Sequence, residues 1–317
     1  MKEFARATRQ PKYYYFAWAN RLITYYLKTG RPNLALYEAQ KMLKEAQDED
    51  DKTGLSRCYN IMSQIYTVKR LDGMACEWRL KEIELTGKYK LENYNISQTY
   101  TQIANYYINQ DKPEEALEAL EKSIETANSP IQKTTAKLEF INYYSKFENF
   151  PAAGNILQEC KQEFEQDKRL ESIKKRLYNM ECLYYKQTKQ YQKALEAADR
   201  QEMEEQRLSE SALNSSHYRT KGEIYSDMGN MNQAVKYLQM YIKAEDSLKI
   251  TNEQMASSEF ATLLNVEKLN SEKKELMLQA QEKEIHNKTT LIISLVIVLG
   301  IVSVSYTHLT LPTICSV

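Results

Sequence analysis

The sequence predicts an all-α fold: a solenoid of about six helix pairs, then a long helical stalk, then the start of a membrane-crossing helix. Three observations carry this. First, a tyrosine is followed nine residues later by an alanine six times, at Tyr26/Ala35, Tyr66/Ala75, Tyr107/Ala116, Tyr144/Ala153, Tyr185/Ala194 and Tyr225/Ala234, and successive tyrosines stand 40, 41, 37, 41 and 40 residues apart. A fixed period of roughly 20–50 residues is the trace left by stacking one supersecondary unit. Second, Gly (8) and Pro (6) are scarce in 317 residues while charged residues make up 27%, a composition with few turns and much helix. Third, a charged stretch without proline or glycine leads into an uncharged apolar run near the end of the chain.

Taken in order, residues 1–13 form a lead or the remnant of an earlier helix. The charges of Met1–Asn20 are followed by YYYFAWAN rather than by a sustained apolar segment and a cleavage site, so no secretory signal is visible. The repeat array covers 14–247. Its clearest unit is 97–127, where Ile103, Ala104 and Tyr107 share one face of a first helix. Asp111-Lys-Pro ends that helix. Pro113 opens the next, where its missing N–H costs nothing, and Glu114 and Glu115 face the positive end of the helix dipole. Ala116, Leu117, Leu120 and Ile124 are the expected inward stripe of the second helix. In the sixth unit Gly229 closes the first helix. Three residues before the marked tyrosine stand Ser63, Ala104, Cys182 and Gly222 in four units, where helices are expected to approach closely.

An apolar-small pair, Tyr, a Gly or polar break, Ala, then a bulky residue four further on (Leu120, Leu157, Leu238) resembles the tetratricopeptide repeat. The resemblance implies a right-handed solenoid whose first helices line the concave face. The period near 40 exceeds that family's 34, so the helices are expected to be about one turn longer. Glu181 and Lys221 fall where the family has an apolar residue, and Arg79 where it has a bulky one.

Several function classes are disfavoured. Lys+Arg and Asp+Glu both total 43, so no basic excess points to nucleic acid. There is no CxxC pair, no zinc-spaced Cys/His cluster, no P-loop, no GxGxxG and no HExxH. No cofactor, metal or catalytic residue is expected in this chain, although a histidine kinase module in a longer gene is compatible with it. Cys58, Cys76, Cys160 and Cys182 are expected as buried free thiols.

A ligand is expected among the polar residues beside the marked tyrosines: Asn20, Asn60, Gln64, Gln98, Asn105, Asn109, Asn142, Arg176, Asn179 and Arg219, with Thr24, Arg57, Glu223 and Asp227 nearby. Asparagines offer donors and acceptors to an extended peptide, and arginines pair with carboxylates. A solvated helix face would carry the same residues. The pattern lacks the two-carboxylate clamp of the resembled family, so a chaperone tail is not the expected ligand.

After Ile242 the repeat ends. Residues 248–288 read as a helical or coiled-coil stalk: Leu248, Met255, Leu269 and Leu276 lie at multiples of seven, with Val266 partly filling the seam and Thr262 and Lys283 interrupting it. A homodimeric stalk and a single helix packed back on the array both fit. Residues 289–303, TTLIISLVIVLGIVS, carry no charge and read as a truncated transmembrane helix. From Val304, VSYTHLTLPT looks like an in-frame translation of a transposon-based sequencing adapter, so native sequence is expected to end near Val302 and 304–317 to be foreign. The order of array, Asp246-Ser-Leu248 junction with Asn252 and Gln254, EKKE helix (Glu272–Glu275) and membrane helix resembles bacterial membrane regulators carrying these repeats. That resemblance implies a peptide- or protein-binding sensor in the bacterial cytoplasmic membrane. The array would lie outside, and a kinase or helix-turn-helix output would be missing. The competing reading is a membrane-anchored assembly scaffold with no output domain.

Overall fold

In the computed structural model, residues 11–93, 95–207 and 216–310 are described, and all their regular structure is helical. The lead through residue 10, residues 311–317 of the tail and the Leu248 side chain lie outside the described residues. Helix α1 (Pro11–Ala17) passes through a π-helical turn, Trp18–Ile23, into α2 (Thr24–Lys28). There follow α3 (Pro32–Asp48), α4 (Lys52–Val68), α5 (Asp72–Tyr89), α6 (Ile96–Asn109), α7 (Pro113–Glu125), α8 (Pro130–Lys146) and α9 (Phe150–Gln166). A 3₁₀ turn, Lys168–Ile173, leads to α10 (Lys174–Gln187), then α11 (Tyr191–Arg207), α12 (Ser216–Asp227) and α13 (Met231–Thr310). Paired helices pack on each other, and each pair packs on the next, giving the expected solenoid of six pairs.

The Tyr–Ala interval of nine has a backbone cause. In every unit the marked tyrosine's carbonyl accepts the amide five residues on: Arg31 to Tyr26 at 2.8 Å, Leu71 to Tyr66 at 2.9 Å, Lys112 to Tyr107 at 3.0 Å, Asn149 to Tyr144 at 2.8 Å, Gln190 to Tyr185 at 2.8 Å and Asn230 to Tyr225 at 2.9 Å. The intervening amide bonds back three residues, as from Gly30 to Leu27 at 3.2 Å. This is the Schellman closure, and it needs a left-handed residue four after each tyrosine. Those residues are Gly30, Arg70, Asp111, Glu148, Lys189 and Gly229, with φ from 55° to 76°. Four residues further, the marked alanine's amide donates to the residue that took part in the closure, at 3.0–3.1 Å, making the first bond inside the second helix. Five residues close one helix and four open the next.

The alanines lie inside the core: Ala35, Ala75, Ala116, Ala153 and Ala194 are 0% exposed and Ala234 2%. The tyrosines are half-buried at the core's edge, packed against its clusters. The small site three before them is buried in each of the four units expected. At Gly222 a Cβ would lie 2.8 Å from Leu238 Cγ, so α12 and α13 approach too closely there for any side chain. In the third unit the inward stripe is turned from the expected one: Ala116, Ala119, Leu120 and Ser123 are buried, and Leu117 and Ile124 flank it. Ser123 belongs inside because its hydroxyl donates to the Ser97 carbonyl at 2.9 Å and meets Thr101 Oγ1 at 2.6 Å.

The out-of-pattern charges are buried with partners. Arg79 donates to Gln102 Oε1 at 2.8 Å and Thr67 Oγ1 at 2.7 Å. Glu181, 0% exposed, pairs with Lys161 at 2.5 Å and Arg200 at 3.2 Å. Lys221 pairs with Asp199 at 2.7 Å and Glu202 at 2.5 Å. Cys58, Cys76, Cys160 and Cys182 are buried free thiols, as expected.

Two compact units divide at Ser257/Ser258. Considered by itself, the second consists, among the described residues, of the later part of α13. Leu269 and Leu276 are exposed there. Every large apolar side chain from Leu291 to Val304 is 54–66% exposed. This is the one helix among the described residues long and apolar enough to cross a membrane.

Candidate functional site

The first helices α4, α6, α8 and α10 present the polar residues singled out above, because the same 3.6-residue turn that buries the position three before each tyrosine puts its neighbours on the open side. Two cavities form there. The first, about 330 Å³, is lined by Phe16 and Asn20 of the opening helix, Arg57, Asn60 and Gln64 of α4, Glu82 of α5, and Leu91, Asn93 and Asn95 of the α5–α6 connection, among others. The second, about 520 Å³, is lined by Asn105 of α6, Glu139 and Asn142 of α8, Lys175, Arg176 and Asn179 of α10, and Gln201 of α11, among others. Both volumes fall in the range of small-ligand clefts.

Seven of the ten expected residues are therefore gathered: Asn20, Asn60 and Gln64 in the first cavity, Asn105, Asn142, Arg176 and Asn179 in the second. Gln98 and Asn109 are exposed near opposite ends of α6 and line neither cavity. Arg219 is bonded to Glu223 at 2.8 Å, which also takes Lys186 at 2.5 Å. These two cations hold the Glu223 carboxyl below its ordinary range against the cost of burial.

The asparagines join across units. Asn142 Nδ2 donates to Asn105 Oδ1 at 3.3 Å, bridging α8 and α6. Arg176 donates from Nε at 2.9 Å and Nη2 at 2.5 Å to Glu139 Oε1, bridging α10 and α8. Lys175 beside it pairs with Glu205 at 3.4 Å, so both cations of the second cavity have a buried carboxylate partner, and their remaining N–H groups can donate to an acidic group or a peptide carbonyl. In the first cavity Gln64 Nε2 donates to Asn60 Oδ1 at 2.7 Å, and Asn60 Nδ2 reaches both oxygens of Glu82 at 3.2 Å. Asn93 Nδ2 adds a bond to Glu82 Oε1 at 2.9 Å, and burial pushes the Glu82 carboxyl up.

Sequence reasoning missed Glu82, Asn93, Glu139 and Lys175. Glu82 stood in plain register: it is seven after its marked alanine, where other units carry Met42, Ser123, Cys160, Gln201 and Tyr241. Asn93 sits in a connection without a counterpart in other units, so periodicity offered no signal. The tyrosine doublets were also readable. Tyr184, just before Tyr185, points its hydroxyl at the preceding unit, where a Cβ on Gly154 would come within 2.6 Å.

The tetratricopeptide repeat family model matches residues 97–130 and 218–246, the third and sixth units. No curated protein matches the chain by sequence. Among solved structures, the apo form of RapI superimposes with a TM-score of 0.59 at 15% identity, over 75% of this chain and 84% of that one. The Cut9–Hcn1 hetero-tetramer of APC/C gives a TM-score of 0.52 at 11% identity, over 70% of this chain and 38% of that one. A signal transduction ATPase with numerous domains and a tetratricopeptide repeat sensor, from Pyrococcus horikoshii, gives 0.50 at 13% identity, over 77% and 39%. At such identities the likeness establishes the solenoid fold, and the family matches place tetratricopeptide repeats within it.

Proposed function

We propose that the array is the peptide- or protein-binding sensor region of a single-span membrane regulator. In this reading the ligand lies along the first-helix face and α13 carries the response toward an output domain beyond the present chain. The observation that supports the binding role is the second cavity, where asparagines from three successive first helices converge with Arg176 and Lys175. A repeat needs no such polar convergence to stack, since its stability comes from the buried neighbour interfaces. The exposed apolar run at Leu291–Val304 supports the anchor, and a solenoid of this kind serves as a sensor in the Pyrococcus horikoshii ATPase. Binding would act by favouring one of two array conformations, which requires a differential affinity of about 1–3 kcal/mol.

Asn105→Ala combined with Asn142→Ala is expected to weaken capture of peptides by the full chain without loss of helicity. Tyr107→Ala is expected to melt its unit, at about 3–5 kcal/mol for an aromatic truncation. If the asparagine pair melts the array and Tyr107→Ala does not, the faces are assigned the wrong way round. The second reading, a membrane-anchored scaffold, rests on the same exposed run. Sequencing the source gene downstream of the codon for residue 302 separates the two: a kinase or DNA-binding module supports the regulator, and an early stop supports the scaffold.

A further inference from the structure

The first cavity holds a buried carboxylate unlike its fellows. Glu139, Glu181 and Glu205 are each buried and each in a salt bridge, with Arg176, with Lys161 and Arg200, and with Lys175 respectively. Glu82 is 2% exposed, and among the described residues its hydrogen-bond partners are all neutral: Asn60, Asn93 and Thr99. Equivalent positions in the first and fourth units are Met42 and Cys160, both 0% exposed, so stacking does not call for a charge there. The Arg57 charge on the same wall acts on Glu82 without forming an ion pair with it, so burial of this carboxylate stays costly unless something more compensates it.

The cavity is shaped to admit that compensation. Whereas α6 packs on α8 and α8 on α10, Leu91, Glu92, Asn93 and Asn95 of the α5–α6 connection form part of the wall between α4 and α6. Thr99 Oγ1 is 3.5 Å from Glu82 Oε2, a long bond that leaves this oxygen room for a stronger donor. Phe16, 40% exposed, and Leu91 supply apolar surface on the same wall. A long cationic side chain needs this pairing of an apolar bed for its stem and an acceptor for its head. Arg57, whose guanidinium lies 5.6 Å over the Phe16 ring, can take a peptide carbonyl beside it.

We propose that this cavity is a recognition pocket for one basic side chain, lysine or arginine, of an extended peptide, with Glu82 as its counter-ion. The proposal rests on the first-helix face being a peptide groove.

The test is selection of random ten-residue peptides displayed on phage against the full chain in detergent micelles. Peptides retained by the unaltered protein should carry lysine or arginine at one fixed position, enriched about tenfold or more over alanine, equivalent to about 1.4 kcal/mol. Glu82→Gln should abolish that preference. Asn105→Ala with Asn142→Ala should lower the yield and leave the preference in place. Should Glu82→Gln lose helicity, Phe16→Ala serves instead: its ring is partly exposed, and it should reduce the basic preference severalfold. Enriched peptides without a basic position, or a preference unchanged in the variants, overturn the pocket and leave the groove standing. No enrichment of any peptide overturns both.

Discussion

The six helix closures make a prediction that separates backbone strain from side-chain packing. Arg70, Glu148 and Lys189 hold left-handed backbone at φ 58°, 60° and 59°, and none of the three makes a side-chain hydrogen bond or ion pair among the described residues. A side chain in this region costs about 1–2 kcal/mol, while glycine gives back about 0.5–1 kcal/mol through the entropy of the unfolded chain. Each substitution Arg70→Gly, Glu148→Gly and Lys189→Gly should therefore stabilise by about 0.5–1 kcal/mol. The closures lie in different units, so the three should nearly add, to about 1.5–3 kcal/mol. The reverse change is graded by the structure. At Gly229 a Cβ meets nothing within 4 Å, so Gly229→Ala should cost only the conformational term. At Gly30 a Cβ would lie 2.6 Å from Met255 Sδ, so Gly30→Ala should cost more. The measurement is urea unfolding followed by circular dichroism, with hydrogen exchange of the flanking helices to catch unit-by-unit opening. Destabilisation by all three glycines, or equal costs at Gly229 and Gly30, would refute the reasoning.

Other expectations follow from buried charges and thiols. Burial pushes Cys58 and Cys160 up to about 12 and Cys182 up to about 11; alkylation by iodoacetamide at pH 8 should be negligible in the folded chain and should report local opening in urea. Replacing both Lys161 and Arg200 by alanine should cost about 3–5 kcal/mol, because Glu181 is left buried without its ion-pair partners, whereas Glu181→Met should be neutral or stabilising by about 1–4 kcal/mol; thermal melts of both variants decide this. The pH response should have two signs. Glu82 is raised above 4.5 by burial, so its contribution is complete below pH 4.5 and is lost as pH rises through the folded value. Glu223 is depressed below 4.5 by Lys186 and Arg219, so its contribution is complete above pH 4.5 and is lost as pH falls through the folded value. Against the unaltered chain, Glu82→Gln should gain relative stability as pH rises above 4.5, and Glu223→Gln should gain it as pH falls below 4.5.

The repeat was legible because its cause is local. A Schellman closure and a first helical bond occupy a fixed number of residues, so every unit writes the same interval into the sequence whatever its surface does. The clustering of seven of the expected polar residues at the two cavities was legible for a related reason: helical periodicity fixes which side of the opening helix, α4, α6, α8 and α10 they occupy. What escaped depends on contacts between units. Asn93 joins Glu82 through a connection of its own length, and Glu139 meets Arg176 37 positions along the chain. The turned stripe of α7 shows the same limit, since Ser123 is inward only because Ser97 and Thr101 wait for it on α6.

This division bears on how a signal would travel. In a solenoid, stability is a sum of unit terms and neighbour terms, so a ligand confined to one unit changes little beyond its neighbours. The second cavity is not confined: α6, α8, α10 and α11 all line it, which spans the third to the fifth units. From there to the last pair the coupling runs through an apolar cluster, in which Ile224 of α12 packs with Cys182 of α10 and Leu195 of α11, and through ion pairs beside it. Lys186 of α10 reaches Glu223 of α12, and Lys221 of α12 reaches Asp199 and Glu202 of α11. Gly222 then sets α12 against α13 with no slack, through its approach to Leu238. A shift of α10 on ligand binding has this cluster and its ion pairs, then the Gly222–Leu238 contact and the Tyr225–Tyr237 stack, through which to reach α13. Gly222→Ala should therefore break the coupling, seen as loss of any ligand-induced change in hydrogen exchange along residues 231–247, while leaving peptide capture at the second cavity intact. Unchanged exchange coupling in that variant would mean the response takes another route.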